Sequence, residues 1–316
     1  MTDLAVVMVT WNVREWALRA LESLFRALRR SGLEATVWVV DNASADGTAE
    51  AIAAAFPAVR RLVNAENRGF AAANNQALRA MGFPEGPGTP RYVWLLNPDT
   101  EVTDEAPGRL VRFMEETPRA GVCGPRLLYP DGRFQHSAFA FPGLAQLFLD
   151  LFPLHPRLLE TRLNGRYPRS WYAQGRPFPV GHPLGAAMLV RGEAIRMVGL
   201  LDEGYWIYAE EVDWCWRMAR AGWERYCVPD AVVIHAGGAS AAQARPEMVR
   251  ALWASRLRLY RQHYPAWKFR LACGLLAVGA GWRACALGRR DDPEGRALQA
   301  AYWAVGTMAV EALRGR

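Results

Sequence analysis

Polar side chains that carry oxygen ligands stand at the ends of four short apolar runs. Asn12 ends LAVVMVTWN, Asp41 ends VWVVD, Asn67 ends VRRLVNAEN and Asp99 ends YVWLLNPD. Carboxylate and amide oxygens are ligands of the kind that suits Mg²⁺ or Mn²⁺. Any one of these residues alone is typical of a turn or a helix cap. Four of them after four successive runs indicate one shared site.

The apolar runs alternate with helical patterns, and this order determines where the four side chains meet. Residues 4–12, 35–44, 59–69 and 92–96 are predicted strands, and residues 14–30, 44–56, 70–82 and 104–116 are predicted helices. Such an order requires right-handed crossovers and a parallel sheet, whose strand-end loops open on one edge. Pro98 cannot donate to a sheet ladder, so the fourth strand should stop there. Asp99 is then left at the edge where open parallel sheets bind ligands.

The second half of the chain is less regular. A Pro130-Asp131-Gly132 turn predicts a hairpin within residues 121–141, and the proline-rich and aromatic residues 142–180 predict a long ordered loop. Further strands are predicted at 185–190 and 225–235, the latter broken by Pro229, and helices at 191–198 and 208–222.

Composition and missing motifs narrow the class of protein. The chain has 316 residues, 51% of them apolar and 22% charged, so it should be globular. No G-x-G-x-x-G follows the first strand and no G-x-x-x-x-G-K-[ST] occurs, which disfavours a dinucleotide dehydrogenase and a P-loop NTPase. Five cysteines without a C-x-x-C pair argue against a disulfide framework and a zinc site, and a reducing cytoplasm is expected. The first apolar run is too short for a signal peptide.

Six segments in fixed order resemble the motif set of family-2 inverting glycosyltransferases, in the rhamnosyltransferase-like branch. They are VTWN, VVDNASADGT, ENRGFAAANN, LLNPDTEV, EEVDWCWR and HAGGAS. The resemblance implies an α/β protein of GT-A fold: a Rossmann-like nucleotide-binding half plus an acceptor half on a mostly parallel central sheet, with a C-terminal helical extension. We expect a catalytic domain at residues 1–240 and a helical, basic and apolar segment at 241–316.

The resemblance also implies a nucleotide-sugar donor and a divalent cation, Mn²⁺ or Mg²⁺, that stabilises the leaving diphosphate. Asn97-Pro98-Asp99 occupies the place of the family's D-x-D motif. Asp99 is then a metal ligand, and Asn97 bonds the ribose or a metal-bound water. His235 stands where a histidine reaches the same metal in related enzymes, although a structural histidine is equally expected there.

Other donor-site residues follow from the same motifs. Asp41 stands where the family's aspartate bonds the pyrimidine base, and Trp11 packs either beside that base or in the core. Arg68 either steadies the diphosphate or lies exposed at a helix entry. The expected donor-binding set is Thr10, Trp11, Asn12, Asp41, Asn67, Arg68, Asn97 and Asp99.

Inverting transfer needs one general base to take the proton of the acceptor hydroxyl. Glu211 is the candidate by its position in the family pattern, which is commonly Glu-Asp, and Glu210 is the alternative. Asp213 and Arg217, four residues apart, are expected to form a supporting ion pair. Aromatic residues could form an acceptor-sugar platform or simply pack in the core: Trp171, Tyr172, Trp206 and Tyr208.

The C-terminal residues suit an anionic surface. The net charge is +7, and basic residues cluster between Arg256 and Arg270, which favours a membrane over nucleic acid. Residues 271–287 are apolar except for Arg283 and lie at the lower limit for a spanning helix. We expect an amphipathic helix in the inner leaflet. Packing of 271–287 with 297–313 as a helical hairpin, or a homodimer interface, is the alternative.

The sequence therefore predicts a metal-dependent inverting glycosyltransferase, peripheral on the cytoplasmic face of the cell membrane. The expected donor is a nucleotide-activated sugar, rhamnose above all, and the expected acceptor a saccharide or polyprenyl-linked saccharide in cell-surface polysaccharide synthesis. Two alternatives stay open: a non-catalytic nucleotide-sugar-binding module, and a sugar-phosphate nucleotidyltransferase. The latter should have a glycine-rich basic loop after its first strand, where this chain has TWNVRE.

Overall fold

A computed structural model describes residues 4–237, 245–288 and 292–315, which fall into two compact units. Unit 1 comprises Met1–Phe139, Arg169–Gly204 and Glu211–Ser240, and unit 2 comprises Ala140–Pro168, Tyr205–Glu210 and Ala241–Arg316. The sequence predicts a single boundary at residue 240, which divides the chain into two consecutive segments. Packing also groups residues 140–168 and 205–210 with the C-terminal helices.

Twelve strands and twelve helices are described. The strands are β1 (Leu4–Thr10), β2 (Ala35–Asp41), β3 (Arg60–Val63), β4 (Tyr92–Leu96), β5 (Thr100–Val102), β6 (Ala120–Leu128), β7 (Phe134–Gln135), β8 (Ala138–Phe139), β9 (Phe178–Pro179), β10 (His182–Pro183), β11 (Ala187–Arg191) and β12 (Glu224–His235). The helices are α1 (Arg14–Ser31), α2 (Thr48–Ala55), α3 (Phe70–Ala80), α4 (Ala106–Glu116), α5 (Leu144–Leu151), α6 (Pro156–Leu159), α7 (Arg169–Ala173), α8 (Gly192–Val198), α9 (Glu210–Arg220), α10 (Arg245–His263), α11 (Ala266–Leu287) and α12 (Pro293–Leu313).

Unit 1 is built on a ten-stranded sheet in the order β3-β2-β1-β4-β11-β6-β12-β5, with β7 beside β6 and β9 beside β12. The first four strands in this order are parallel, as their alternation with helices predicts. β11 runs antiparallel to both of its neighbours, whereas β12 is parallel to β6. β4 is buried over its whole length and lies inside the sheet, between β1 and β11.

Several predicted elements differ from the structure. Residues 142–180 are not one irregular loop, because they contain α5, α6 and α7. The eight-residue α5 lies between Pro142 and Pro153 and is too short to show a sustained period. Strand β12 is not broken at Pro229; its register against β6 shifts between Val228 and Val232, and this bulge accommodates the proline. The hairpin prediction is confirmed by the antiparallel pair β6–β7.

In unit 2, α11 and α12 pack together, so the helical-hairpin alternative is correct for these helices. The amide carbonyls at the end of α5 accept hydrogen bonds from Arg283, whose Nη2 lies 2.7 Å from Asp150 O and whose Nε lies 3.1 Å from Leu151 O. The arginine that interrupts the apolar run is therefore a cap for another helix. Arg256 adds an ion pair to the Asp150 carboxylate at 2.6 Å.

Gly279 and Gly274 lie on the same helix in different surroundings. A Cβ at Gly279 would lie 2.8 Å from Leu151 Cβ, whereas one at Gly274 would have no neighbour within 4 Å. Replacement by alanine gains helix propensity equally at both positions. We predict that Gly279→Ala is less stable than Gly274→Ala by about 1–3 kcal/mol, the usual cost of overpacking. Urea unfolding followed by circular dichroism measures the difference, and equal stability would show that α11 does not pack this closely on α5.

Candidate active site

Thr10 and Asp41 end two neighbouring parallel strands and lie opposite each other in register. The buried carboxylate of Asp41 accepts hydrogen bonds from the Thr10 hydroxyl at 2.8 Å and from the Ser44 hydroxyl at 2.6 Å, both on Oδ1. Its Oδ2 accepts one more from the Ser44 amide at 2.9 Å. A carboxylate oxygen can accept a second hydrogen bond, so Oδ2 retains capacity for a ligand N–H.

Asn12 joins the loop after β1 to the loop after β2. Its backbone N–H donates a hydrogen bond to Ser44 Oγ at 2.9 Å, and its side-chain Oδ1 accepts one from the backbone N–H of Ala45 at 2.7 Å. Asn12 and Ala43 both have positive φ, 51° and 61°. Ser44 was not among the predicted site residues, although it lies within the VVDNASADGT motif that pointed to Asp41.

Asn67 shapes the entry to α3. Its Oδ1 accepts a hydrogen bond from the Gly69 amide at 3.0 Å, and the Gly69 carbonyl accepts one from Asn42 at 3.1 Å. Arg68 is exposed and Trp11 is half-buried. The structure therefore gives Asn67 a local role, and the ligand contacts of Arg68 and Trp11 stay predictions.

Asn97 follows β4 and is held by its backbone. Its backbone N–H donates a hydrogen bond to Ala186 O at 2.8 Å, and its backbone carbonyl accepts one from the Thr100 hydroxyl at 2.7 Å. As predicted, β4 ends before Pro98, at Leu96, and the chain pairs again only from Thr100. The side-chain Oδ1 of Asn97 is buried and has no hydrogen-bond partner within the described residues. An unfilled buried acceptor suits a hydroxyl or a water donated by a ligand.

Asp99 and His235 are brought together by strand pairing. β5 pairs antiparallel with β12, so that Thr100 lies opposite His235, and the Ala236 amide donates to Asp99 O at 3.0 Å. The two side chains are nearly fully buried, at 5% and 8% exposed, and Asp99 Oδ1 lies 3.4 Å from His235 Nε2. The two predicted metal ligands are thus adjacent. The last three residues of the HAGGAS motif lie outside the described residues.

Gln135, in β7, orients the imidazole. Its Oε1 lies 3.0 Å from His235 Nδ1, and with Oε1 as acceptor Nδ1 carries the hydrogen. His235 Nε2 then faces Asp99 Oδ1 at 3.4 Å, an arrangement that a shared cation would stabilise. Within residues 4–237, 245–288 and 292–315, no group of three or more acidic, histidine or cysteine side chains could hold a metal. Two protein ligands suit a cation that a diphosphate and water also coordinate.

Glu211 lies in unit 1 against the segment that pairs with Asn97. A Cβ at Gly185 would lie 3.4 Å from Glu211 Cγ, and the next carbonyl, of Ala186, accepts the Asn97 amide. The candidate base is therefore tied to the same strand end as the candidate ligands. Glu210 is buried and is grouped with unit 2, where burial and the charge of Glu210 raise the pKa of Tyr208.

Among residues 4–237, 245–288 and 292–315, left-handed backbone at non-glycine positions occurs in loops next to these side chains. The described non-glycine residues with positive φ are Asn12, Ala43, Tyr208 and Ala209. The last two immediately precede α9, which carries Glu211, with φ of 70° and 66°. Each such residue costs about 1–2 kcal/mol, and strain of this kind clusters at functional sites.

An ion pair on α9 and an aromatic core cluster account for three further residues singled out in the sequence. Asp213 and Arg217 form the expected ion pair at 2.8 Å, and Arg217 also donates to the carbonyls of Val198 and Leu200. Tyr172 is 1% exposed and packs against Phe134 and Phe178, so it is a core residue and cannot stack on a sugar.

A family model described as "Glycosyl transferase family 2" matches residues 5–177. The chain therefore belongs to glycosyl transferase family 2 and is a glycosyltransferase, which removes the nucleotidyltransferase alternative. An N-acetylglucosaminyl-diphospho-decaprenol L-rhamnosyltransferase of Mycobacterium tuberculosis is 34% identical over 242 residues, covering 74% of this chain and 76% of that relative. The low-salt glycan biosynthesis hexosyltransferase Agl10 of Haloferax volcanii is 24% identical over 218 residues, covering 69% and 62% of the two chains.

Solved structures show the same fold. A mannosyltransferase, PcManGT, from Pyrobaculum calidifontis in complex with GDP-Man and Mn²⁺ has a TM-score of 0.55 at 16% identity, covering 98% of this chain and 87% of that one. GalNAc-T7 with UDP, GalNAc and Mn²⁺ has a TM-score of 0.54 at 15% identity, covering 100% of this chain and 57% of that one. At these identities the likeness shows the fold alone, and it confirms the predicted GT-A fold.

The contact between Gln135 and His235 gives a test of the metal site. If Asp99 and His235 bind a divalent cation, Gln135→Leu should weaken Mn²⁺ binding about 10–100-fold, because the imidazole loses the acceptor that fixes its tautomer. Gln135→Glu retains an acceptor and should restore most of the affinity. Isothermal titration with Mn²⁺ in the presence of dTDP measures the effect, with the exposed Gln174→Leu as control. Unchanged affinity in Gln135→Leu would show that His235 does not coordinate the cation.

Proposed function

We propose that this glycosyltransferase moves rhamnose, with inversion, from a nucleotide-diphosphate donor to a lipid-linked saccharide. The observation that carries the donor half of this proposal is the Asp99–His235 pair, buried at the strand edge beside Asn97. Support for the sugar and the acceptor comes from the 34% identical relative, a rhamnosyltransferase whose name specifies a diphospho-decaprenol acceptor.

The donor nucleotide would lie along the ends of β2, β1 and β4, which are neighbours in the sheet. Asp41 would accept an N–H of the base through the remaining capacity of Oδ2, with Thr10, Asn12 and Ser44 holding it in place. Asn97 Oδ1 would accept a hydrogen bond from the ribose or from a coordinated water. Trp11, Asn67 and Arg68 complete the proposed donor-binding set.

Asp99 and His235 would hold the divalent cation, which supplies Lewis-acid stabilisation of the diphosphate charge when bound. The carboxylate contributes a hard oxygen ligand, and the imidazole favours Mn²⁺ over Mg²⁺. The neighbouring Asn97 is neutral, where a second acid would repel the phosphates. Burial of both ligands lowers the local dielectric, so that their charge acts strongly on a bound diphosphate.

Glu211 would act as the general base. Its side chain lies against Gly185, on the segment that hydrogen-bonds Asn97, so it shares the strand edge with the proposed cation ligands. In an inverting displacement, Glu211 removes the proton from the acceptor hydroxyl as that oxygen bonds to the anomeric carbon and the diphosphate leaves. Asp213 would keep α9 in position through Arg217.

A lipid-linked acceptor would place the enzyme at the membrane, and we propose a peripheral location on the cytoplasmic face. Nucleotide sugars are soluble and polyprenyl diphosphates are embedded, so the enzyme must reach both phases. The net charge of +7 favours an anionic bilayer. The non-catalytic alternative is disfavoured because Asp99, His235 and Glu211 are all present.

A donor and acceptor screen tests the proposed function. The purified protein is incubated with Mn²⁺, a polyprenyl-diphosphate N-acetylglucosamine acceptor and dTDP-, UDP- or GDP-sugars, and products are identified by mass spectrometry. We expect transfer from dTDP-rhamnose that requires Mn²⁺ and is abolished in Asp99→Asn. Transfer of another sugar would refute the donor assignment. Transfer that persists without metal and in Asp99→Asn would refute metal dependence.

The choice between two neighbouring carboxylates is tested separately. We predict that Glu211→Gln lowers kcat about 10²–10⁴-fold, the usual contribution of a general base, and leaves the donor Kd unchanged. Glu210→Gln should lower kcat far less. Single-turnover rates and donor titrations for both variants give the comparison. A larger loss in Glu210→Gln would reverse the assignment.

A further inference from the structure

Most of the exposed large apolar side chains lie in unit 2. Of the thirteen such side chains in the described part of the chain, Trp16, Val63 and Met197 alone belong to unit 1. Five of those in unit 2 are at least half exposed and lie on the α11–α12 hairpin: Trp267, Leu271, Val278, Trp282 and Trp303. We call these five residues the aromatic face.

The four α11 members of the aromatic face form one stripe. Residues 267, 271, 278 and 282 are spaced by four, seven and four positions, which keeps them on one side of a helix. The buried residues Ala272, Leu276, Ala280 and Ala284 lie on the other side. The stripe extends about 22 Å at 1.5 Å per residue. A helix that is apolar on both sides buries one side in the core of its own unit. Its other side needs a second apolar environment.

The buried side of α11 is fixed within unit 2. Arg283 caps α5, and Gly279 lies against Leu151. Within the described residues, α11 alone is long and apolar enough to cross a membrane. Crossing would break the hydrogen bonds of Arg283 to the α5 carbonyls and separate Gly279 from Leu151. The helix therefore presents one side outward while its other side stays packed. This corrects the expectation of an amphipathic pattern, because both sides of α11 are apolar.

From residue 248 to the end of α11 the charged side chains have a single sign, whereas α12 carries Glu294 and Glu311 besides Arg296. Residues 248–288 contain seven basic residues and no Asp or Glu. Arg261 and Arg270 are exposed near Trp267 in the chain. A second copy of this chain would bring these cations against their own counterparts across a two-fold axis. An anionic surface neutralises them, so the charge favours lipid over self-association.

We propose that the aromatic face docks on an anionic bilayer, with Trp267, Trp282 and Trp303 at headgroup depth and the flanking arginines on the phosphates. Tryptophan prefers this depth because its ring is apolar and its N–H remains hydrated. This docking surface would supply the membrane contact that the proposed function requires. The docking itself does not depend on the proposed function; only its biological purpose rests on that function.

Flotation with vesicles tests the docking surface. Full-length protein is mixed with vesicles of phosphatidylcholine alone or with phosphatidylglycerol added, and the bound fraction is measured. We expect binding to the anionic vesicles that Trp267→Ser/Trp282→Ser reduces about tenfold or more. The matched variant Trp16→Ser/Met197→Ser, which removes two exposed apolar side chains from unit 1, should bind as the wild type does. Circular dichroism confirms folding of both variants.

Two results would overturn this proposal. One is vesicle binding that the α11 variant leaves unchanged. The other is a concentration-dependent dimer that the α11 variant abolishes while no vesicles bind, which would assign the face to a second copy.

Transfer to a water-soluble, short-prenyl acceptor separates this proposal from the proposed function. The α11 variant should retain that activity, whereas failure of the wild type on every acceptor would count against the function and leave the vesicle result standing.

Discussion

The pairing of β5 with β12 is the constraint on which the site depends. Asp99 stands one residue before β5 and His235 is the last residue of β12, so the register that sets Thr100 opposite His235 also sets the 3.4 Å contact between carboxylate and imidazole. A slip of one residue would turn the imidazole to the opposite face of the sheet. The bulge near Pro229 lies upstream in the same strand, where it adjusts the register against β6 before the chain reaches His235.

Around this pair, hydrogen bonds within the protein hold the polar side chains of the site. The Asp41 carboxylate is held by Thr10 and Ser44, and the imidazole of His235 is oriented by Gln135. Left-handed residues in the loops after β1 and β2 and before α9 store strain that the surrounding hydrogen bonds and packing offset. Fixing polar groups in advance limits the reorganisation needed when negative charge develops on a leaving group.

The sequence predicts the parallel strands, their helices and the acids at the strand ends, because hydrophobic period and turn residues are local signals. It does not predict Gln135, whose role arises only when β7 pairs with β6 and approaches His235 from 100 positions away. The reversed direction of β11 and the short α5 also escape local patterns. The local sequence pattern also gives the wrong role for Arg283. In the sequence this residue interrupts an apolar segment, whereas in the structure it caps a helix 132 positions away.

We propose that Asp99 and His235 together hold the cation that receives the diphosphate. Anomalous diffraction at the manganese edge, from crystals grown with Mn²⁺ and dTDP, tests it most directly. We expect one strong peak coordinated by Asp99 Oδ1, His235 Nε2 and diphosphate oxygens, with Gln135 still bonded to Nδ1. A manganese peak that lacks either side chain as a ligand, or bound dTDP without any manganese, would contradict it.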